Sequence, residues 1–472
     1  MIATILKQNG HDIDLFVVSR ATPIEKLFGR YISEKQPSMF CLTAVSSQFE
    51  NIQKVAHVVR EAAPEVFIIL GGHHASLAPD DAIQSPSLDA ICVGEGDRAV
   101  VELASHVESN PTALPAGIPG LWVKNKVSGT IEKTPSLSFL EDLDGLPHID
   151  RTLWEPWIVA PEEGVSVLVG RGCPYRCTYC SNHALQLLSG GKFVRYRSPG
   201  SMIDEINGIS QRYPGVRDIY LEVETIGASM WNALELFGAL AEYNSARPEK
   251  LSFRMNLAIH SGFVKREEKV REFFGYCQKA NVVGLNIGLE SGSERIRKLM
   301  RRPRYSNEEL ARFAVMAREY GIGVTLYALL GLPDETPKDF METVRAVRQI
   351  GPEKVYLSIF YPYIGTDLYE TARAQGLIPT SGLEPSRERR RAILDLPNFP
   401  RWRVRFEYIF FWYRAYKGIW SLPMIVAYMA RAFIAPHARL DAAYRYVRNH
   451  SALLARFRKK YAFRGASDIV RL

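Results

Sequence analysis

Apolar and polar positions along the 472-residue chain fall into three regimes. From residue 1 to about 110, short apolar runs at 13–18, 39–45, 66–70 and 90–93 alternate with amphipathic segments such as 51–62. Short, mostly apolar runs alternating with helical patterns give the rhythm of a parallel sheet, so this block predicts a doubly wound, Rossmann-like α/β domain. The stretch 111–160 carries Pro111, Pro115, Pro119, Pro135 and Pro147 and reads as a linker. From Val165 the rhythm is more regular. Strand-like runs at 165–169, 218–222, 251–256, 283–289, 324–329 and 355–360 alternate with helical patterns near 200–212, 229–244, 266–280, 306–320 and 336–349. Six βα units predict a partial (βα)6 barrel over 161–380, with its chemistry at the C-terminal strand ends. Residues 381–472 read as a basic, aromatic-rich helical region.

With 47% hydrophobic and 23% charged residues the composition is globular, which excludes disordered and collagen-like classes. Six cysteines, three of them within eight positions, exclude a secreted disulfide scaffold and suit a reducing, cytoplasmic compartment. The N-terminus lacks the apolar core of a signal peptide, and the longest uncharged apolar run, 418–430, is too short to span a bilayer. The net charge of +8 resides in the tail: 381–472 holds 19 Lys+Arg against 6 Asp+Glu, leaving 40 against 45 for the rest. Solvated helical faces and Arg stems lying over apolar surface account for that charge better than a nucleic-acid site. The aromatic interleaving of Arg401-Trp402-Arg403-Val404-Arg405-Phe406 leaves peripheral membrane contact as the alternative.

After the first barrel strand comes Arg171-Gly172-Cys173-Pro174-Tyr175-Arg176-Cys177-Thr178-Tyr179-Cys180. Three thiolates at spacings of four and three can hold one side of an iron–sulfur cube and leave one iron open for substrate. Buried free cysteines, or a zinc site completed by His183, are the competing readings. The loop, with its aromatic residue before the last cysteine at the mouth of a βα barrel, resembles that of the radical S-adenosylmethionine superfamily. The resemblance implies that Cys173, Cys177 and Cys180 ligate a [4Fe–4S] cluster. Its open iron would chelate S-adenosylmethionine, which is cleaved reductively to a 5′-deoxyadenosyl radical with an external electron donor. Asn286-Ile287-Gly288-Leu289-Glu290-Ser291, the Gly331-Leu332-Pro333-Asp334-Glu335-Thr336 turn and Pro362-Tyr363-Ile364-Gly365-Thr366 resemble further segments of the family. They imply that Tyr179, Glu290 and Ser291 lie at S-adenosylmethionine. At the second strand end, Leu221-Glu222-Val223-Glu224 matches one acid of the family's pair with Glu224, and Glu222 is a candidate substitute for the other.

In the first block, Thr43-Ala44-Val45, Gly71-Gly72-His73-His74 and Val93-Gly94-Glu95-Gly96-Asp97 follow successive strands. They resemble the cobalamin-binding domain of the cobalamin-dependent subgroup, which assigns Thr43, Gly71, Gly72 and Gly94 to cobalamin; glycines at strand ends leave space for a bulky ligand. The Asp-x-His-x-x-Gly motif of other cobalamin domains is absent, and Met1 to Gly10 resembles the family's first helix, so its first strand is expected to be missing. The resemblance implies methylation of an unactivated carbon in a small or lipid-like intermediate. The alternative with the same cofactors is oxidative cyclisation or rearrangement. An RNA-modifying methylthiotransferase needs three further cysteines where only Cys41 and Cys92 occur. A non-enzymatic cluster carrier has no use for a barrel with an open three-cysteine site.

Overall fold

The computed structural model describes residues 1–19, 22–158, 160, 162–384 and 388–450. In the N-terminal block, β1 (Met39–Thr43), β2 (Phe67–Gly71) and β3 (Ala90–Cys92) run parallel, with Thr43 beside Gly71 and Leu70 beside Ile91. Along β2, Ile68 and Leu70 join the cluster of Val55, Ala56 and Val59 from the helix Phe49–Ala62, while Ile69 joins Ala99, Leu103 and Val107 from the helix Ala99–Ser109. This alternation is what a strand covered on both faces requires.

Two expectations are corrected. Residues 13–18 are in no strand; Phe16 packs against Phe28 and Tyr31 at 5.4 and 4.8 Å, so the run is held by ring packing without a backbone ladder. The sheet ends at β1, which pairs with β2 alone, and the outer edge of β1 is left unpaired by 13–18. The stretch 111–160 is more than a linker: β4 (Leu121–Lys124) and β5 (Ile131–Lys133) extend the sheet antiparallel from β3. Prolines flank these strands and take no part in the ladder, as their missing N–H demands.

The second sheet consists of six parallel strands in chain order: β6 (Val165–Leu168), β9 (Asp218–Glu222), β10 (Ser252–Asn256), β11 (Val282–Glu290), β12 (Gly323–Leu330) and β13 (Lys354–Ile359). A short antiparallel pair, β7 (Gly170–Arg171) and β8 (Arg195–Tyr196), stands beside its mouth. The sheet is an open partial barrel, since β6 and β13 do not pair. On β12, Val324, Leu326, Ala328 and Leu330 enter the core, whereas Tyr327 stays 40% exposed and stacks at 5.2 Å on Tyr356 of β13, which lies on the same side. Capping boxes at Ser306/Glu309 and Thr336/Asp339 start two of the outer helices by satisfying their first backbone donors. Beyond β13, the helix Arg401–Tyr416 packs on the barrel: Val404, Phe411 and Ala415 join its core, and Arg348 Nη1 donates to the Ala415 carbonyl at 2.9 Å.

Candidate active site where the strand ends of two domains meet

Arg171 ends β7, and Gly172 turns the chain into the cysteine loop at φ +92°, where a β-carbon would overlap the Phe193 carbonyl. Only glycine fits there. The loop is tied at its middle, since the Thr178 amide donates to Met300 O at 3.0 Å and Leu368 N donates to Thr178 O at 2.8 Å. Cys177 is buried and Cys173 and Cys180 are half-buried. Burial pushes the Cys173 thiol up to about 12 and raises that of Cys180, and Cys177 adds to both shifts. Among the described residues, no three His, Cys, Asp or Glu side chains stand close enough to hold a single metal ion. His183 Nε2 faces Asp367 at 3.8 Å.

Behind the loop, a bulge in β11 places Glu290 at φ +58° with its side chain inward. Tyr179 donates to Glu290 Oε1 at 2.9 Å, and Arg302 donates to Gly288 O at 2.5 Å and to Cys177 Sγ at 3.7 Å. Gly288 is required because a β-carbon there would overlap the Glu290 carboxylate. Burial raises the Glu290 carboxyl, with Arg302 and Tyr179 pulling it back. Tyr179 and Glu290 thus meet as a buried brace beneath the cysteines. Ser291, expected to face a ligand, is fully buried, and its hydroxyl accepts from the Ser293 amide at 3.2 Å. The bulge turns Glu290 and the next residue into the protein.

Glu222 and Glu224 are exposed at the end of β9. Burial of its environment raises the Glu222 carboxyl, and Glu224 adds to the shift. Glu224 also acts electrostatically on Cys173 and on His73 of the first domain, so the two sets of strand ends face each other. Burial holds His73 below the usual imidazole range against that pull.

The cobalamin-assigned residues divide. Thr43 is exposed, and a β-carbon on Gly71 would meet nothing closer than Cys92 Cβ and Leu42 O at 4.0 Å. Gly72 differs: at φ +88° its β-carbon would lie 2.6 Å from Thr43 Oγ1 and 3.0 Å from Ala44 O. Gly72 is therefore glycine for the protein's own packing, where ligand space was expected. Gly94, at φ +92°, donates its amide to Ser76 Oγ at 3.1 Å. Cys41, two residues before Thr43 on β1, is exposed.

Four charged residues not singled out by sequence reasoning join the domains. Arg171 donates to both oxygens of Asp97 at 2.7 and 3.1 Å, and Arg195 grips Glu95 at 2.9 and 2.8 Å. Glu95 and Asp97 lie in the Gly94 turn; Arg171 is two residues from Cys173. Such bidentate pairs fix orientation as well as distance, so the turn and the cysteine loop move as one piece. Their signal in the sequence was only acids and arginines next to glycine turns.

The chain matches the radical SAM superfamily over residues 167–347 and the B12 binding domain over residues 1–104. The two matches place a radical SAM domain after a B12 binding domain along the chain. An uncharacterized methyltransferase of Pyrococcus horikoshii is 25% identical over 360 residues, 74% of this chain and 72% of that one. The anaerobic magnesium-protoporphyrin IX monomethyl ester cyclase of Rubrivivax gelatinosus is 23% identical over 375 residues, 78% of this chain but only 64% of its own length. Among solved structures, the methyltransferase TsrM from Kitasatospora setae, with cobalamin and a [4Fe–4S] cluster bound, superposes at TM-score 0.64 and 18% identity, covering 80% of this chain and 75% of that one. That likeness shows the fold.

For this chain the two matching domains imply a [4Fe–4S] cluster, S-adenosylmethionine and cobalamin as cofactors. Its residues fit them. Three thiols share one loop at the barrel mouth; Arg302 Nε, Tyr196 Oη and Thr178 Oγ1 are buried there without partners; and the Thr43–Gly71 end of the first sheet is an open cradle that a β-carbon would begin to fill.

The turn after β12 adds a pH-sensitive element. Glu335 Oε2 accepts from the Gly331 and Leu332 amides at 2.6 and 3.1 Å, yet burial pushes its carboxyl up to about 8. An unfolded glutamate ionises at its ordinary value near 4.5, so the folded state holds a proton that the unfolded state has lost, and stability falls as pH rises from there through about 8. Glu335→Gln keeps an acceptor for the two amides without the charge. It is expected to gain about 2 kcal/mol over the parent between pH 5 and pH 8 in urea titrations.

Proposed function

We propose that this chain transfers a methyl group to an unactivated carbon of a small or lipid-like biosynthetic intermediate. When bound, the cluster with S-adenosylmethionine supplies a hydrogen-abstracting radical, and cobalamin supplies the methyl group. Cys173, Cys177 and Cys180 would hold the cluster, Glu224 would meet S-adenosylmethionine from the end of β9, and Thr43 and Gly71 would border the corrin. Glu290 would hold Tyr179 and so the cysteine loop, and Gly94 would shape its turn through Ser76.

The observation that carries this reading is the opposition of Glu224 and His73, with the helix His73–Leu77 packed on the helix Ser181–Gln186 that follows the cysteines. Cofactors at the two sets of strand ends would share one water-poor space, where the protein's work is to orient substrate and exclude solvent. The substrate would enter the barrel lumen. There Tyr220 Oη donates to Asn256 Oδ1 at 2.6 Å, Asn286 Nδ2 donates to Tyr220 Oη at 3.2 Å, and the Tyr327–Tyr356 stack offers an aromatic wall.

The similarity to a cyclase supports the second reading, radical cyclisation without net methyl transfer. The products separate the two. Reductively activated enzyme given S-adenosylmethionine and a small-molecule extract should release S-adenosylhomocysteine and 5′-deoxyadenosine together if methyl transfer occurs. Substrate-dependent 5′-deoxyadenosine alone would replace methyl transfer with cyclisation or rearrangement.

A further inference from the structure

The helices Arg401–Tyr416 and Leu422–Ile434 form a hairpin on the barrel. Its inner side is an aromatic stack, with Trp412 4.7 Å and Trp420 5.1 Å from Tyr428 and Tyr416 stacked on Trp420 at 3.6 Å. The second helix buries only Ile425 and Ala432. On the adjoining stripe Leu422, Val426 and Phe433 are 62%, 52% and 52% exposed, and Ile419 before the helix is 58% exposed. Spacings of four and seven keep these side chains on one face. A contiguous apolar face of this kind marks an interaction site.

The charge around this face is mainly positive. Residues 401–434 hold six Lys+Arg and one acid, Glu407, which is buried between Arg403 at 2.8 Å and Arg414 at 3.1 Å and therefore absent from the surface. Exposed Lys417 precedes the stripe, while Arg405, 5.9 Å from the Phe433 ring, and exposed Arg439 flank its far end. On the first helix, Arg403 lies over the rings of Trp402 and Phe406, and Trp402 is 67% exposed. Apolar side chains rimmed by cations and an exposed tryptophan match the boundary between acyl chains and anionic headgroups. Among the described residues no helix is long and apolar enough to cross a membrane, so contact would lie in the surface plane. A nucleic acid would leave Leu422, Val426 and Phe433 uncovered.

We propose that the Leu422–Ile434 face docks this enzyme on anionic lipid bilayers. The proposal stands apart from the substrate reading, because it rests on a face outside the barrel lumen. Its test is flotation of the full chain with vesicles of phosphatidylcholine alone or mixed with phosphatidylglycerol. The chain should float with the mixed vesicles only, and less so as salt rises. A Val426→Glu/Phe433→Glu variant should lose about tenfold or more in partitioning, with unchanged thermal melting and corrin and cluster absorbance. Lys417→Glu, at an exposed helix end, gives a milder loss in the same direction and serves if the double variant does not fold. No flotation with anionic vesicles, equal flotation with neutral ones, or unchanged flotation of the variants would each overturn the proposal. So would a dimer that these substitutions disrupt without any vesicle binding, which would make the face a protein interface.

Discussion

Alanine at Cys173, Cys177 or Cys180 is expected to abolish 5′-deoxyadenosine formation from S-adenosylmethionine, while Cys41→Ser leaves it near the parental rate. Each motif thiol would take one iron, and two ligands cannot hold a cube with an open corner against solvent. Cys41 lies on β1, in the other domain and exposed, where loss of the sulfur removes little packing. Iron and sulfide content after anaerobic reconstitution, with product quantified by chromatography, checks the expectation. A full cluster with turnover in all three alanine variants would remove the loop from the chemistry. Because Cys177 also accepts from Arg302, Cys177→Ser is a useful companion: it preserves an acceptor for the guanidinium while replacing the thiolate, so its loss of activity reports on iron rather than on loop packing.

The second large effect separates two neighbouring glycines that look equivalent in sequence. Gly71→Ala is expected to fold normally, since its new methyl meets nothing within 4.0 Å, and yet to retain at least about tenfold less cobalamin, because that methyl would enter the space a corrin needs. Gly72→Ala is expected to lose about 2–4 kcal/mol of stability, from a left-handed backbone and the approach to Thr43 and Ala44. It would lose cobalamin as a consequence, through displacement of the end of β1. Denaturant midpoints and the absorbance of retained corrin distinguish the two, with iron content unchanged in both. Parental cobalamin binding by Gly71→Ala would place the corrin away from the Thr43–Gly71 cradle.

These two predictions show how local signals and spatial ones divide. The cysteine loop was locatable in the sequence because its three thiols fall at short spacings within one turn. The role of Gly72 was not, because its nearest neighbours come from the end of β1, nearly thirty residues earlier in the chain. Ser291 shows a similar limit: a motif gives residue order, but the bulge in β11 decides which side chains face the mouth and which face the core.

By itself the sequence determined the α/β class, the order of the six barrel strands, the cysteine loop and the strand-end glycine turns, all of which rest on periodicity and on contacts between residues close in the chain. Only the tertiary structure decided that 13–18 stays out of the sheet, that residues 121–124 and 131–133 enter it, and that the C-terminal helices pack on the barrel. It also decided that Asp97 and Glu95 clamp Arg171 and Arg195 across the domain junction. Strand membership needs a sheet edge within hydrogen-bonding reach, and an ion pair needs a partner of opposite charge in reach. Both depend on where distant segments arrive, which hydrophobic periodicity along the chain does not encode.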